Sequence, residues 1–240
     1  MENSIYIGLS KQIALQNNMD TIANNIANMS TSGYRTQNLL FEEFLDKERG
    51  DYDPMSFVYD RGQYESTEPG SLSFTGNSLD AALAGPGFFG VQGPDGKVGY
   101  SRAGNFQMDA NGRLLNAAGY PVVDQGGSPI SIPQGSTEIK IDEKGFISNQ
   151  DGQIAQLMVV EFSNQQDLKP TGNNIYTTTA GTLSPTNTRV KQGEVEGSNV
   201  KPVLEMTRMV ETLRAFQSVQ NVIQSEHERL QTAIQKLTKA

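Results

Sequence analysis

The 240-residue chain has no cysteine, no tryptophan and a single histidine. Without cysteine there is no disulfide framework, no thiolate nucleophile and no cysteine-ligated zinc. One histidine does not make a two- or three-histidine metal centre, which leaves only carboxylate sites to consider. Positive charge is scarce as well: 19 Lys and Arg face 27 Asp and Glu, a formal charge of −8. Such a balance lacks the basic face on which phosphate neutralisation depends, so nucleic acid is not an expected partner. Long apolar runs are missing too. The most apolar window, Ala81 to Val91, is broken by Gly85, Pro86, Gly87 and Gly90, far short of the roughly 20 apolar residues of a membrane helix. The opening Met1-Glu2-Asn3-Ser4 has no basic or apolar signal region, so neither a cleaved secretory signal nor membrane insertion is expected.

What is present is unevenly distributed. Residues 1–40 are neutral, 200–240 carry six basic and four acidic side chains, and 41–199 hold 11 basic against 21 acidic ones. Of the 24 glycines, 22 lie between Gly50 and Gly197, and after Pro202 there is neither glycine nor proline. The chain therefore reads as two terminal segments around a glycine-rich acidic middle.

The carboxy-terminal stretch is predicted to be one long helix. Pro202 suits a first helical turn, with Ser198 or Asn199 as candidate caps. Met206, Met209, Leu213, Phe216, Gln220, Ile223, His227, Leu230, Ile234 and Leu237 then recur in alternating steps of three and four. That is a heptad seam, the pattern of a coiled coil or helical bundle. A shorter version, Leu15, Met19, Ile22 and Ile26, marks an amino-terminal helix ending near Asn28–Gly33. The middle reads as antiparallel β structure, with hairpin turns at Asp95-Gly96, Asn111-Gly112 and Asp151-Gly152. The expected organisation is an amino-terminal helix over 1–33, an extended connector with some strands over 34–70, a β-rich domain over 71–199, and a carboxy-terminal helix over 200–240.

Geometry adds an expectation about assembly. A helix from 202 to 239 is about 57 Å long, whereas a compact body of some 155 residues is roughly 40 Å across. Such a helix overhangs the body and carries apolar seam with it. The shorter amino-terminal helix is too short to cover all of it, so partner chains are expected.

Three ordered motifs resemble the flagellar rod and hook protein family, and they span nearly the whole chain. The first is Ala23-Asn24-Asn25-Ile26-Ala27-Asn28 with Thr31, Gly33, Tyr34 and Arg35. The second runs from Thr75-Gly76-Asn77, Leu79-Asp80 and Gly85-Pro86-Gly87-Phe88-Phe89 through Tyr100-Ser101-Arg102-Ala103-Gly104 to Gly112 and Leu114. The third comprises Gly193, Glu196, Ser198-Asn199-Val200, Pro202-Val203, Glu205-Met206, Met209-Val210 and Arg214-Ala215-Phe216-Gln217. The opening residues and the short middle most resemble the proximal-rod branch, with the distal-rod and hook branches as close relatives.

The resemblance implies an α+β fold whose terminal helices form a coiled-coil-like axial layer beneath a central antiparallel β domain. It implies a non-enzymatic, cofactor-free subunit of the flagellar basal body, in the periplasmic rod. Such a subunit leaves the cell through the flagellar type III export apparatus, and its partners are copies of itself and other rod proteins. The candidate interface comprises Leu15, Met19, Ile22, Asn24, Asn25, Ile26 and Asn28 together with the carboxy-terminal seam residues. The three asparagines suit either helix-end and turn hydrogen bonding or hydrogen bonds between subunits. Gln220 and His227 are polar seam positions of the kind that fix register.

Other features have plainer readings. Gly85-Pro86-Gly87 is followed by no Lys-Ser/Thr, so it is a tight turn and not a phosphate loop. Asp142-Glu143 and Glu42-Glu43 are adjacent pairs, unable to converge across a cleft as acid–base catalysis needs. There is no calcium-binding D-x-[DN]-x-[DN]-G loop. Two functions of other classes stay open at this level, a peptidoglycan hydrolase and a secreted adhesin with a helical stalk.

Overall fold

A computed structural model describes residues 2–46 and 55–237. The fold is α+β, with one helix at each end and antiparallel sheets between them. Two compact units divide the chain. One gathers Met1–Ala27, Gln37–Ser66 and Lys201–Ala240, the other Asn28–Thr36 and Thr67–Val200.

The first unit contains helix α1 (Glu2–Ala27), strands β1 (Gln37–Asp46) and β2 (Met55–Glu65), and helix α2 (Pro202–Leu237). Proline opens α2, where its missing N–H is harmless, and no later Gly or Pro interrupts its 36 residues. The helices run antiparallel. Asn25 lies against Glu205, Asn18 against Thr212 and Gly8 against Ile223, so steps toward the start of α1 match steps toward the end of α2. Gly8 leaves room for the Ile223 side chain: a Cβ there would lie 2.9 Å from Ile223 Cγ1. Ala14, Thr21, Ile22 and Asn25, recurring at steps of seven, one and three, form the buried face of α1. Strands β1 and β2 pair from Gln37↔Glu65 to Asp46↔Met55, with one register shift between Leu40 and Phe41. This hairpin occupies much of the stretch expected to be an extended connector with some strands.

The second unit is all antiparallel. Its largest sheet orders Val159–Val160, Phe88–Gln92, Val98–Ser101, Ile175–Thr177 and Lys169–Gly172 side by side. A three-stranded sheet joins Gly152–Gln156, Phe146–Asn149 and Lys140–Ile141. Two-stranded pairs link Arg189–Gln192 to Ala81–Ala84, Glu194–Glu196 to Leu72–Phe74, and Gln107–Met108 to Leu114–Leu115. The three expected turns connect sequential strands, and Gly96, Gly112 and Gly152 all have positive φ.

Two cores flank the strand Phe88–Gln92. Alternation sends Phe89 and Val91 into a large cluster with Leu83, Leu114, Ile147 and Leu157. Phe88 goes into a smaller one with Val160, Phe162, Leu168 and Tyr176. Phe88 meets Phe162 and Tyr176 edge-on, with ring centroids 5.6 and 5.9 Å apart, the arrangement favoured by ring quadrupoles. The strand is buried on both faces, which explains why Phe88, Phe89 and Val91 do not alternate with polar residues.

Candidate assembly interface

Within the helical unit, the polar contacts gather at Asn25. Its side chain pairs both ways with the backbone of Gln37: Nδ2 donates to the carbonyl at 2.9 Å, and Oδ1 accepts from the N–H at 2.9 Å. Nδ2 also reaches Glu205 Oε2 at 3.2 Å. Glu205, only 2% exposed, accepts from Arg208 Nη1 at 2.8 Å. It sits in the first turn of α2, where the helix dipole favours a carboxylate. One asparagine thus ties the end of α1 to the start of β1 and to α2.

The candidate residues divide by environment. Ile22 and Asn25 are buried, while Leu15, Met19 and Ile26 are half-buried. Asn24 is exposed. Asn28 forms a turn, its Oδ1 accepting from Thr31 Oγ1 at 3.1 Å and its carbonyl from Thr31 N–H. On α2, Met209, Phe216, Ile223 and Leu230 are half-buried, whereas Met206, Leu213, Gln220, His227 and Ile234 are exposed. His227 Nε2 and Gln231 Nε2 are 2.9 Å apart. The Leu237 side chain lies outside the described residues.

The covered stripe of α2 is itself a three-four series: Glu205, Met209, Thr212, Phe216, Val219, Ile223, Glu226 and Leu230. It shares one column with the sequence seam and replaces the other with its neighbours. Glu205, Thr212 and Glu226 fall outside the apolar seam read from the sequence because they are polar. Thr212 meets Asn18 at 3.4 Å, and Glu226 pairs with Arg229 at 2.6 Å. The column left open carries Met206 (49% exposed), Leu213 (43%) and Ile234 (60%). On α1, Tyr6, Leu9 and Ile13 form a similar open stripe.

In the second unit, parts of all three sequence motifs meet. Arg102 and Glu196 form a buried ion pair, Nη2 to Oε2 at 2.6 Å. Arg102 Nη1 donates to the carbonyls of Gly85, at 2.8 Å, and Gly87. Glu196 Oε1 accepts from the Gly70 N–H at 2.9 Å. Burial pushes the Arg102 guanidinium below its ordinary pKa; Glu196 pulls it back up and Arg35 adds to the fall. Residues 33–36 thread through this place. Gly33 has φ +68°, and a Cβ there would lie 2.5 Å from the Ala103 nitrogen, so only glycine fits. Its N–H donates to the Glu196 carbonyl at 2.8 Å. The Arg35 guanidinium stacks 4.9 Å from the Phe88 ring centroid and donates to Gln165 Oε1 at 2.8 Å. Asn199 Oδ1 accepts from both the N–H and the hydroxyl of Thr36 at 2.7 Å. Asn199 Nδ2 donates to the Glu68 carbonyl at 2.8 Å.

Among the described residues no cluster of His, Asp and Glu is arranged to hold a metal ion. No helix among them is long and apolar enough to cross a membrane. What the arrangement offers is buried scaffolding together with open apolar helix faces.

Comparison with known proteins reaches both ends and the centre of the chain. Residues 5–35 match the family described as "Flagella basal body rod protein". Residues 82–149 match "Flagellar hook protein FlgE/F/G D1 domain", and residues 191–236 match "Flagellar basal body rod FlgEFG protein C-terminal". The flagellar basal-body rod protein FlgF of Caulobacter vibrioides is 33% identical over 244 residues, covering 100% of this chain and 99% of its own. FlgF of Mesorhizobium japonicum is 36% identical, covering 91% of this chain and 90% of its own. The rod protein FlgG of Buchnera aphidicola from Schizaphis graminum is 33% identical, with coverage of 95% and 97%. With likeness at this level running end to end, and family matches on each of the three motif regions, the chain belongs to the flagellar basal-body rod protein family, most like FlgF.

Proposed function

We propose that this chain is a proximal-rod subunit, built into the flagellar basal body with other copies of itself and with other rod proteins. The open apolar stripes of α1 and α2 carry this reading. Tyr6, Leu9 and Ile13 on one helix, and Met206, Leu213 and Ile234 on the other, are 43–60% exposed. Exposed apolar side chains repeated along one helix face suit an interaction surface, and a second set of helices covers such a stripe by packing into its grooves. The terminal helices then form a coiled-coil-like axial layer, with the seam residues facing neighbouring subunits. Gln220 and His227 lie in the open column and set its register. Because each subunit presents one surface to a different surface of the next, the assembly is helical. Long helices buried among their neighbours make it stiff enough to transmit torque from motor to hook. Passage through the type III export apparatus, without a cleaved signal, belongs to the same reading.

The experiment is removal of the chain from a flagellated cell, with imaging of isolated basal bodies. A rod truncated at its proximal part, with loss of motility, is expected. Truncation at the distal part would assign the chain to the distal rod. Intact rods combined with lost cell attachment would favour an adhesin, and purified chain that clears cell-wall suspensions would favour a hydrolase.

A further inference from the structure

Each helix of the first unit carries an exposed column whose chemistry changes along its length. On α1 the column runs Tyr6, Leu9, Ile13, Gln16 and Asp20, so its apolar part ends at Ile13. On α2 it begins apolar, with Val203, Met206, Val210 and Leu213. It then turns polar, through Gln217, Gln220, Gln224, His227 and Gln231. Within one chain the two apolar stretches do not meet. Asn25 lies against Glu205 and Asn18 against Thr212, and this one-for-one antiparallel register sets Leu9 level with residue 221. The apolar start of α1 is therefore level with the glutamine run of α2, and the apolar start of α2 with the polar end of α1. The two stretches nevertheless match in spacing. Tyr6, Leu9, Ile13 and Gln16 step by three, four and three, and so, read backwards, do Leu213, Val210, Met206 and Val203.

We infer that the helix pair packs head to tail on a second copy of the chain, with the apolar start of α1 in one copy laid antiparallel against the apolar start of α2 in the next. The inference rests on the assembly reading above and adds which stretch meets which. In this register Tyr6 meets Leu213, Leu9 meets Val210 and Ile13 meets Met206, the three-four alternation by which helices interdigitate. Leu9 then faces position 210 in place of 221, so the second copy is displaced along the helices by about 11 residues, or 16 Å. Neighbouring registers fit worse. Sliding one heptad toward the end of α2 sets Tyr6 and Leu9 on Gln220 and Gln217, and sliding one heptad the other way carries Ile13 past the start of the helix at Pro202. No charge on α1 opposes the contact, because Ser10, Gln12 and Asn17 flank the stripe. Each copy offers one stretch and receives on the other, so the contact is heterologous and continues from copy to copy.

The chain has no cysteine, so an introduced pair reports alone. Leu9→Cys and Val210→Cys are placed together in the full chain, and the purified protein is oxidised mildly at rising concentration. Within one chain these positions are about 16 Å apart along the helices, beyond the roughly 7 Å Cα separation that a disulfide spans. A ladder of linked dimers, trimers and higher species is expected, while either single-cysteine chain stops at dimers. Leu9→Cys with Gln220→Cys reports neighbours that are not displaced. A ladder from that control as strong as from Leu9 and Val210 overturns the displacement, and a ladder from neither overturns the contact. A second arm uses charge at the exposed positions. In cells, Ile13→Lys or Met206→Glu alone is expected to reduce the number of complete rods, and the two together to restore it; a double variant no better than the singles overturns the pairing. If cells lacking the whole chain still build complete rods, the assembly reading fails instead, whatever the ladder shows.

Discussion

Arg102 and Glu196 meet through a 2.6 Å contact between Nη2 and Oε2, with side chains only 1% and 3% exposed. The arginine comes from the central motif and the glutamate from the third, and the segment carrying Gly33 from the first passes over them. Breaking such a buried pair leaves one charge stranded, at a cost of about 3–5 kcal/mol. We expect Glu196→Gln to lower the stability of the second unit by that order in urea unfolding. Arg102→Met is expected to cost more, because the carbonyls of Gly85 and Gly87 lose their donor as well. A Glu196→Gln loss below about 1 kcal/mol would show the pair to be structurally incidental.

Gly33 gives a sharper steric test. At φ +68° and with backbone at Cβ distance, Gly33→Ala is strained by conformation and by contact together. We expect a loss of about 1–3 kcal/mol, visible as a lower thermal midpoint. Gly119→Ala has the same sign of φ and nothing within 4 Å of the added atom, so it isolates the conformational part. Equal losses at the two sites would remove the steric argument.

Glu161 ties down the 183–188 segment. Its carboxylate accepts from the N–H groups of Thr186 and Asn187 and from the Thr186 and Thr188 hydroxyls. Desolvation raises its pKa, but the hydrogen bonds together outweigh it, and the folded-state pKa lies below the ordinary value. The associated stability is therefore full above the unfolded-state pKa and is lost as pH falls through the folded one. Glu161→Gln should cost about 2 kcal/mol near neutrality, and the gap to wild type should close in acid. A gap that is constant with pH would refute the assignment.

Asn25→Asp probes the helical unit. It replaces a donor to Glu205 with a second acidic group about 3 Å away, beside an oxygen now held at 3.2 Å. We expect destabilisation at neutral pH and partial recovery in acid, where one carboxylate takes up a proton. Circular dichroism of thermal unfolding at the two pH values provides the measurement.

The helix pair also predicts an exchange pattern. Gly8 of α1 lies opposite Ile223, so the antiparallel register brings the start of α1 only a few residues further along α2. Amides of 205–223 should exchange slowly in the free chain and those near 231–236 quickly. Gly8→Leu should speed exchange in the 205–223 stretch. Uniform exchange along all of α2 would contradict this register.

How much could be foreseen depended on which chemistry carried the information. Both helices and the antiparallel middle follow from periodicity and from Asp-Gly or Asn-Gly turns, so Pro202 and Gly96 fall where expected. Rotation of the α2 stripe did not follow. Sequence hydrophobicity favoured Met206 and Leu213, while the helix partner covers Glu205 and Thr212, polar residues satisfied by Asn25 and Asn18. Polar burial of that kind depends on a partner far along the chain. The Arg102–Glu196 pair was hidden for the same reason, since nothing local links positions 94 residues apart. The asparagine cluster was legible in part: Asn28 makes the expected turn, and Asn25 bridges three elements in a way no spacing reveals.

The threading of 33–36 through the second unit has a bearing on the order of events in folding. The Gly33 N–H, the Tyr34 carbonyl and Thr36 are hydrogen-bonded to Glu196 and Asn199, residues that emerge only after most of the chain has been made. Contacts so distant in sequence form late, because loop closure precedes their reward. A fragment spanning 67–200 alone would lack these residues and leave a slot behind. Such a fragment is a natural candidate for completion by a separate peptide carrying residues 28–36, much as a missing strand can be donated in trans. The amino-terminal segment is thus the final piece of a domain it precedes in the chain.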